Sequence, residues 1–341
     1  MKPIHALLAC AALLSACSRG GAAPGGEVLF VSERDGQAEV YAVRPAGGPP
    51  RRLTRAASAD YPAAVAPDGA AVLVVSVAGE GAAQSERMSV LPLDGGAARP
   101  LGLVSARVRS PAWAPDGSWL AFESDTASFR DLYRIGRDGS GLRRLTHAPQ
   151  GSFEPEVSPD GGSIAFVSSR DGDAEVYVMR ADGAAQRRIT AFHRDDWGPR
   201  WSPDGRTLVF LSNREGRDRL FLVQPDGSGL RPLAPALHDS VADAAEPAWS
   251  PDGRRIAFTL RARGGASRIA AADLRGNVSF LTPAGERAST PAWSPDGAFI
   301  AYTRQAEGDA EVWLVRADGR GARPLVRSPG ADWLPRWVPA R

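Results

Sequence analysis

Between residues 153 and 190 the chain reads FEPEVSPDGGSIAFVSSRDGDAEVYVMRADGAAQRRIT. Four short runs of strand character, at 156–158, 164–167, 176–179 and 188–190, are separated by the Gly-bearing turns SPDG, RDGD and ADG. Their length and their β-branched and aromatic content predict a four-stranded antiparallel meander. Alone, such a unit leaves an apolar face on each side, so it must stack against copies of itself.

The copies emerge when the turn is aligned. PDG preceded by Ala or Ser recurs with its aspartate at Asp68, Asp116, Asp160, Asp204, Asp252 and Asp296, positions that differ by 48, 44, 44, 48 and 44 residues. Four strands in a period near 44 predict a β-propeller. The turn has a physical basis: Pro presets φ, Asp suits the next position, and Gly takes the left-handed residue that closes the hairpin. Trp113, Trp201, Trp249 and Trp293 stand two residues before the Pro and are expected to fill the wedge between neighbouring blades, whereas Val65 and Val157 make thinner contacts there.

The repeat begins partway through. VLFVSERDGQAEVYAV at 28–43 matches IAFVSSRDGDAEVYVM at 164–179, yet no PDG strand precedes it. The missing strand lies at the other end, where DWLPRWVP at 332–339 matches DWGPRWSP at 196–203. The expected fold is therefore all-β, a seven-bladed β-propeller closed by pairing the C-terminal strand with the N-terminal blade, with six blades as the alternative. One domain is expected over 27–341.

Residues 1–26 read differently. A basic start, an apolar run at 6–14 and small residues before a cysteine predict a secretory signal over 1–16, followed by a Gly/Ala/Pro-rich tether at 17–26. Leu14, Ser15, Ala16 and Cys17 resemble the lipobox of bacterial lipoproteins, which implies lipidation of Cys17 and a membrane anchor on the periplasmic side of the outer membrane; a plain signal peptide and a soluble product are the alternative. Both cysteines, Cys10 and Cys17, lie in this segment, so no disulfide is expected in the folded part.

The repeated P-x-W-S-P-D-G, as at 199–205, followed by I-A-F and E-V-Y-V-M, as at 175–179, resembles the propeller of the TolB family. The likeness runs through almost all of 27–339. Two departures stand out: TolB itself carries an α/β domain before its propeller, not recognised here, and its propeller has six blades. The resemblance implies a role in the cell envelope with a protein or peptide partner. It also places the chain near propellers that act as enzymes, such as oligogalacturonate lyases, which host metal chemistry, and the prolyl-oligopeptidase relatives, whose propeller caps a hydrolase domain.

Catalytic motifs are sparse. The chain has no G-x-S-x-G, H-E-x-x-H or P-loop, and neither a catalytic residue nor a cofactor is assigned. Three histidines follow the signal segment, His147, His193 and His238, all on connections at one face of the disc. Three successive blades bring them together only loosely, so no metal site is expected. A net charge of +2 and the secretory start argue against nucleic acid.

Propeller geometry then locates a working face. First strands are innermost, and the connections from each fourth strand to the next blade share a face, here called upper, with the second-to-third turns. Both lengthened periods add residues to that face, at 76–87 and 234–247. Asp60, Glu154, Asp195, Asp196, Glu246 and Asp332 lie just before the Pro of an innermost strand. With His193 and His238 they form the candidate binding set for an envelope protein or peptide, or alternatively for a carbohydrate substrate of a hydrolase or lyase. A monomer is expected. On the lower face, arginines at the start of fourth strands, Arg99 and Arg187 among them, are candidates to meet anionic lipid.

Overall fold

The computed structural model describes residues 25–79, 85–102, 107–125, 129–237, 242–305 and 308–339. Among them, seven four-stranded antiparallel sheets form the blades of a propeller. Blades 1 to 6 open with the innermost strands Ala59–Val65, Val108–Trp113, Ser152–Val157, Asp196–Trp201, Asp243–Trp249 and Ala288–Trp293. Blade 7 takes its innermost strand, Asp332–Val338, from the C-terminal end and its other three, Glu27–Ser32, Glu39–Val43 and Arg51–Arg52, from the N-terminal end. Innermost strands of successive blades touch all the way round, so the ring is closed.

Blade 3 compares directly with its sequence. Its strands are Ser152–Val157, Ser163–Ser168, Glu175–Arg180 and Arg187–Arg188. The first starts at Ser152 rather than at residue 156, because a bulge between Phe153 and Glu156 carries the ladder past Pro155. The fourth is only two residues long.

No sheet has a core of its own. The buried apolar residues fall into seven clusters, each formed between two neighbouring blades, from the wedge joining blades 7 and 1 round to that joining blades 6 and 7. An aromatic ring from the second strand is fully buried in six of the blades: Phe30, Phe122, Phe166, Phe210, Phe258 and Tyr302. The tryptophans close the wedges as the repeat predicts and add a polar tie. Each indole Nε1–H donates to a backbone carbonyl of the preceding innermost strand, Trp113 to Ala64 at 3.2 Å, Trp201 to Glu156 at 3.1 Å, Trp249 to Arg200 at 3.0 Å and Trp293 to Ala248 at 3.0 Å. Trp337 makes the same bond to Ala292 at 2.9 Å, so the shared blade joins the ring like the others.

The PDG turns are locked by their own side chains. In blade 4 the Ser202 hydroxyl donates to Asp204 at 2.6 Å, the Arg206 N–H donates to the same carboxylate at 3.1 Å, and Gly205 takes a φ of 70°. The serine bond holds the Asp204 carboxyl below its ordinary range, and Asp160 and Asp252 behave alike. On the lower face, Arg99, Arg187 and Arg231 donate to backbone carbonyls in the third-to-fourth turn of the following blade, Arg187 to Asp226 at 2.8 Å and Arg231 to Leu274 at 2.9 Å. These three guanidiniums thus tie blades together at the lower rim.

Candidate functional site

The bulge in each innermost strand shapes the mouth of the central channel. The residue before the Pro is left-handed in six blades: Ser110, Glu154, Gly198, Glu246, Thr290 and Leu334, with φ from 47° to 63°. Only one of the six is glycine, and such a conformation costs other residues of order 1–3 kcal/mol. It is held by bonds that cross between blades. Glu154 accepts the Gly198 N–H at 2.7 Å, Glu246 accepts the Thr290 N–H at 2.7 Å, and the Thr303 hydroxyl accepts the Leu334 N–H at 3.2 Å. The mouth is thereby a rigid tier of backbone and carboxylate.

One step along the channel, each innermost strand presents the residue that precedes the Trp (or the Val standing for it). Four of these are small, Ala64, Ala112, Ala248 and Ala292, and three are charged, Glu156, Arg200 and Arg336. Arg200 reaches Glu156 of the preceding blade at 3.3 Å. Crowding by the surrounding channel wall pushes the Glu156 carboxyl up, against the pull of Arg200, although 29% of the side chain remains exposed.

Beside the mouth, a cleft of about 470 Å³ opens across blades 2, 3 and 4. Phe153 and Trp197 supply aromatic walls, while Glu123, Glu154, Asp195, Asn213 and Arg130 supply the polar groups. Both aromatics occupy the position just before the left-handed residue, so the bulge sets their direction. Glu123 is 3% exposed and takes the Ser110 hydroxyl at 2.8 Å on Oε1. Its Oε2 is buried without a hydrogen bond, and Arg130 stands 3.6 Å away, at ion-pair range. Arg130 in turn lies 5.2 Å over the Phe153 ring. Burial raises the Glu123 carboxyl above the usual range, and the charge of nearby Glu154 adds to this against Ser110 and Arg130. The Asn213 Oδ1 is likewise buried and unbonded. Both acceptors thus belong to residues that line the cleft and lie beside its aromatic walls.

The acidic candidates read from the sequence separate into three kinds. Asp196 is fully buried and bound by the Arg214 guanidinium at 2.8 and 3.1 Å; Asp332 is 1% exposed, with Arg34 at 3.1 Å and the Ser328 hydroxyl at 2.7 Å; Asp60 is 2% exposed beneath the Ser58 hydroxyl at 3.1 Å. These three fix strand starts inside the protein and do not open on the mouth. Glu246 faces the channel with its oxygens taken by Thr259, Arg261 and the Thr290 N–H. Only Glu154 and Asp195 line the cleft. His193 is exposed beside Phe192, 6.4 Å between rings, and is not among the lining residues. His238 and Cys17 lie outside the described residues.

Sequence reasoning missed Glu123, although a signal was present. Glutamate stands there where the corresponding position in other blades holds Val31, Val167, Leu211, Thr259 or Thr303. An acid in a second strand that is otherwise apolar or small needs a reason, and the cleft supplies one.

The profile of the TolB beta propeller domain family matches residues 148–341. An uncharacterised protein of Agrobacterium fabrum is 29% identical over 137 residues, 40% of this chain; the match spans 45% of that relative, less than half its length. Among solved structures, TolB from Acinetobacter baumannii superposes over 93% of this chain and 68% of its own, with 23% identity and a TM-score of 0.58. An oligogalacturonate lyase in complex with manganese superposes over 89% of this chain and 86% of its own, with 16% identity and a TM-score of 0.67. At these identities the two superpositions establish a common fold. Among the described residues no three His, Cys, Asp or Glu side chains are grouped so as to hold a metal ion.

Proposed function

The chain belongs to the TolB beta propeller domain family, and on that premise we propose that it is a non-catalytic, membrane-tethered propeller of the cell envelope that binds a protein or peptide partner through its upper face. The observation that carries this reading is the cleft across blades 2 to 4, where Phe153 and Trp197 flank Glu123, Glu154 and Asp195. Flat aromatic walls with carboxylates between them suit the aliphatic stem and cationic head of a partner's Lys or Arg. The tether at 17–26 and the anchor at Cys17 belong to the same proposal.

The test is selection of peptides from a display library on the purified propeller, followed by titration of an enriched peptide. Enriched sequences should carry Lys or Arg. Glu123→Gln and Trp197→Ala should each weaken the Kd about tenfold or more, as expected when a charge-assisted partner or an aromatic wall is removed. Because the Glu123 carboxyl is raised, the cleft loses negative charge as pH falls while still above the ordinary glutamate value of about 4.3, so affinity should begin to drop there. Equal affinity of wild type and both variants would mean that the partner does not bind in the cleft.

A second reading rests on the same pair of acids. A raised Glu123 beside Glu154 and two aromatic walls also suits a carbohydrate-active site, with Glu123 as proton donor. Release of new chain ends from an oligosaccharide, abolished by Glu123→Gln, would favour this reading over partner binding.

A further inference from the structure

Among the described residues, the channel tier carries a charge that no carboxylate pairs with directly. Among the described residues, Arg336 has no carboxylate within ion-pair distance, and its one hydrogen bond runs to the carbonyl of its own neighbour Pro335 at 3.4 Å. A guanidinium has five N–H donors, so this leaves most of its capacity unused. Glu246, the carboxylate whose charge Arg336 feels, is already engaged by Thr259, Arg261 and the Thr290 N–H. Arg200, at the same tier in blade 4, shares its charge with Glu156 at 3.3 Å and is otherwise bonded only to the carbonyl of Pro199 at 3.0 Å.

Position makes the two arginines a pair. They stand three blades apart in a ring of seven, so they face one another across the channel, and the Arg200 charge adds to the burial that weakens the hold of Arg336 on its proton. Glu156 takes one of the other five tier positions, and the small residues Ala64, Ala112, Ala248 and Ala292 take the remaining four. The backbone here cannot easily give way, because the Trp249 indole bonds the Arg200 carbonyl at 3.0 Å and the neighbouring Trp337 indole bonds that of Ala292 at 2.9 Å. Two like charges on a ring tied by these bonds, with Glu156 beside Arg200 as the one carboxylate of the tier, leave a net positive site that an anion completes.

We propose that this tier of the channel is an oxyanion site in which Arg336 and Arg200 together take the carboxylate or phosphate group of a small ligand. Guanidinium forks match both groups, since each presents two oxygens to parallel N–H donors. The site is distinct from the upper-face cleft and shares no lining residue with it.

The experiment is calorimetric titration of the purified protein with inorganic phosphate and, separately, with acetate, at constant ionic strength in chloride. Saturable binding of at least one is expected; phosphate alone would assign a phosphate-bearing ligand, acetate alone a carboxylate-bearing one, and both an undiscriminating oxyanion site. Arg336→Ala places at this tier the residue that four other blades already carry, so the fold should persist, and affinity should fall about tenfold or more. Glu156→Gln frees Arg200 and should strengthen binding. Absence of saturable binding by either anion, or affinity that neither substitution changes, would overturn the proposal.

Discussion

A chain lacking residues 332–341 is expected to lose cooperative unfolding and to aggregate. The strand Asp332–Val338 pairs with Glu27–Ser32 over nearly their whole length, from Glu27 against Val338 to Ser32 against Asp332. Its removal uncovers one edge of a strand in which Val28, Leu29, Phe30 and Val31 are fully buried. It also removes the Trp337 indole from the wedge between blades 6 and 7 and strips Arg34 of its buried carboxylate. An open ring exposes both an unpaired edge and an apolar wedge, the two features that drive chains into edge-to-edge association. Urea titration followed by tryptophan fluorescence, with size-exclusion chromatography of the native sample, reads the outcome. A truncated protein that melts as a monomer at the urea midpoint of the full chain would mean that the C-terminal strand does not hold the ring closed.

Neighbouring aspartates should differ sharply. Asp196→Ala is expected to cost about 3–5 kcal/mol, because it leaves the Arg214 guanidinium buried without its carboxylate. Arg214 cannot swing out to solvent cheaply, since it lies over the Phe221 ring at 4.4 Å and the Phe192 ring at 5.1 Å. Asp195→Ala, one residue earlier, removes an exposed side chain that caps the Ala174 N–H at 3.0 Å and should change stability by about 1 kcal/mol or less. Both values come from urea midpoints at equal slope. Similar losses for the two variants would contradict the division between buried and cleft-lining acids.

That division is where reading the sequence stops short. Blade number, strand order and closure were legible, because PDG demands a left-handed glycine wherever it occurs, and the DW–PRW match joined the two ends. The wedge role of the tryptophans was legible too, since a large ring at a fixed offset from the turn has one place to go. Burial of the individual acids was not. Asp196 and Asp195 look alike in the sequence, and only the point at which the strand begins decides that Asp196 turns inward to Arg214 while Asp195, just before it, stays outside. The arginine partners also come from elsewhere: Arg34 and Arg214 lie on second-to-third connections, not on the innermost strand where Arg200 and Arg336 stand. Glu123 was hidden for a different reason, as the comparison that exposes it runs across blades at one position of the second strand. The channel tier follows the same logic, with its three charges set among four alanines at equivalent places.

The proposed function makes the upper-face cleft the working surface. Hydrogen–deuterium exchange of the propeller, with and without a peptide selected on it, tests this most directly. Slowed exchange is expected at the backbone amides around Phe153, Glu154, Trp197 and Asn213, which line the cleft, and unchanged exchange at the lower-face PDG turns. Protection confined to the PDG turns, or to the outer strands, would contradict it.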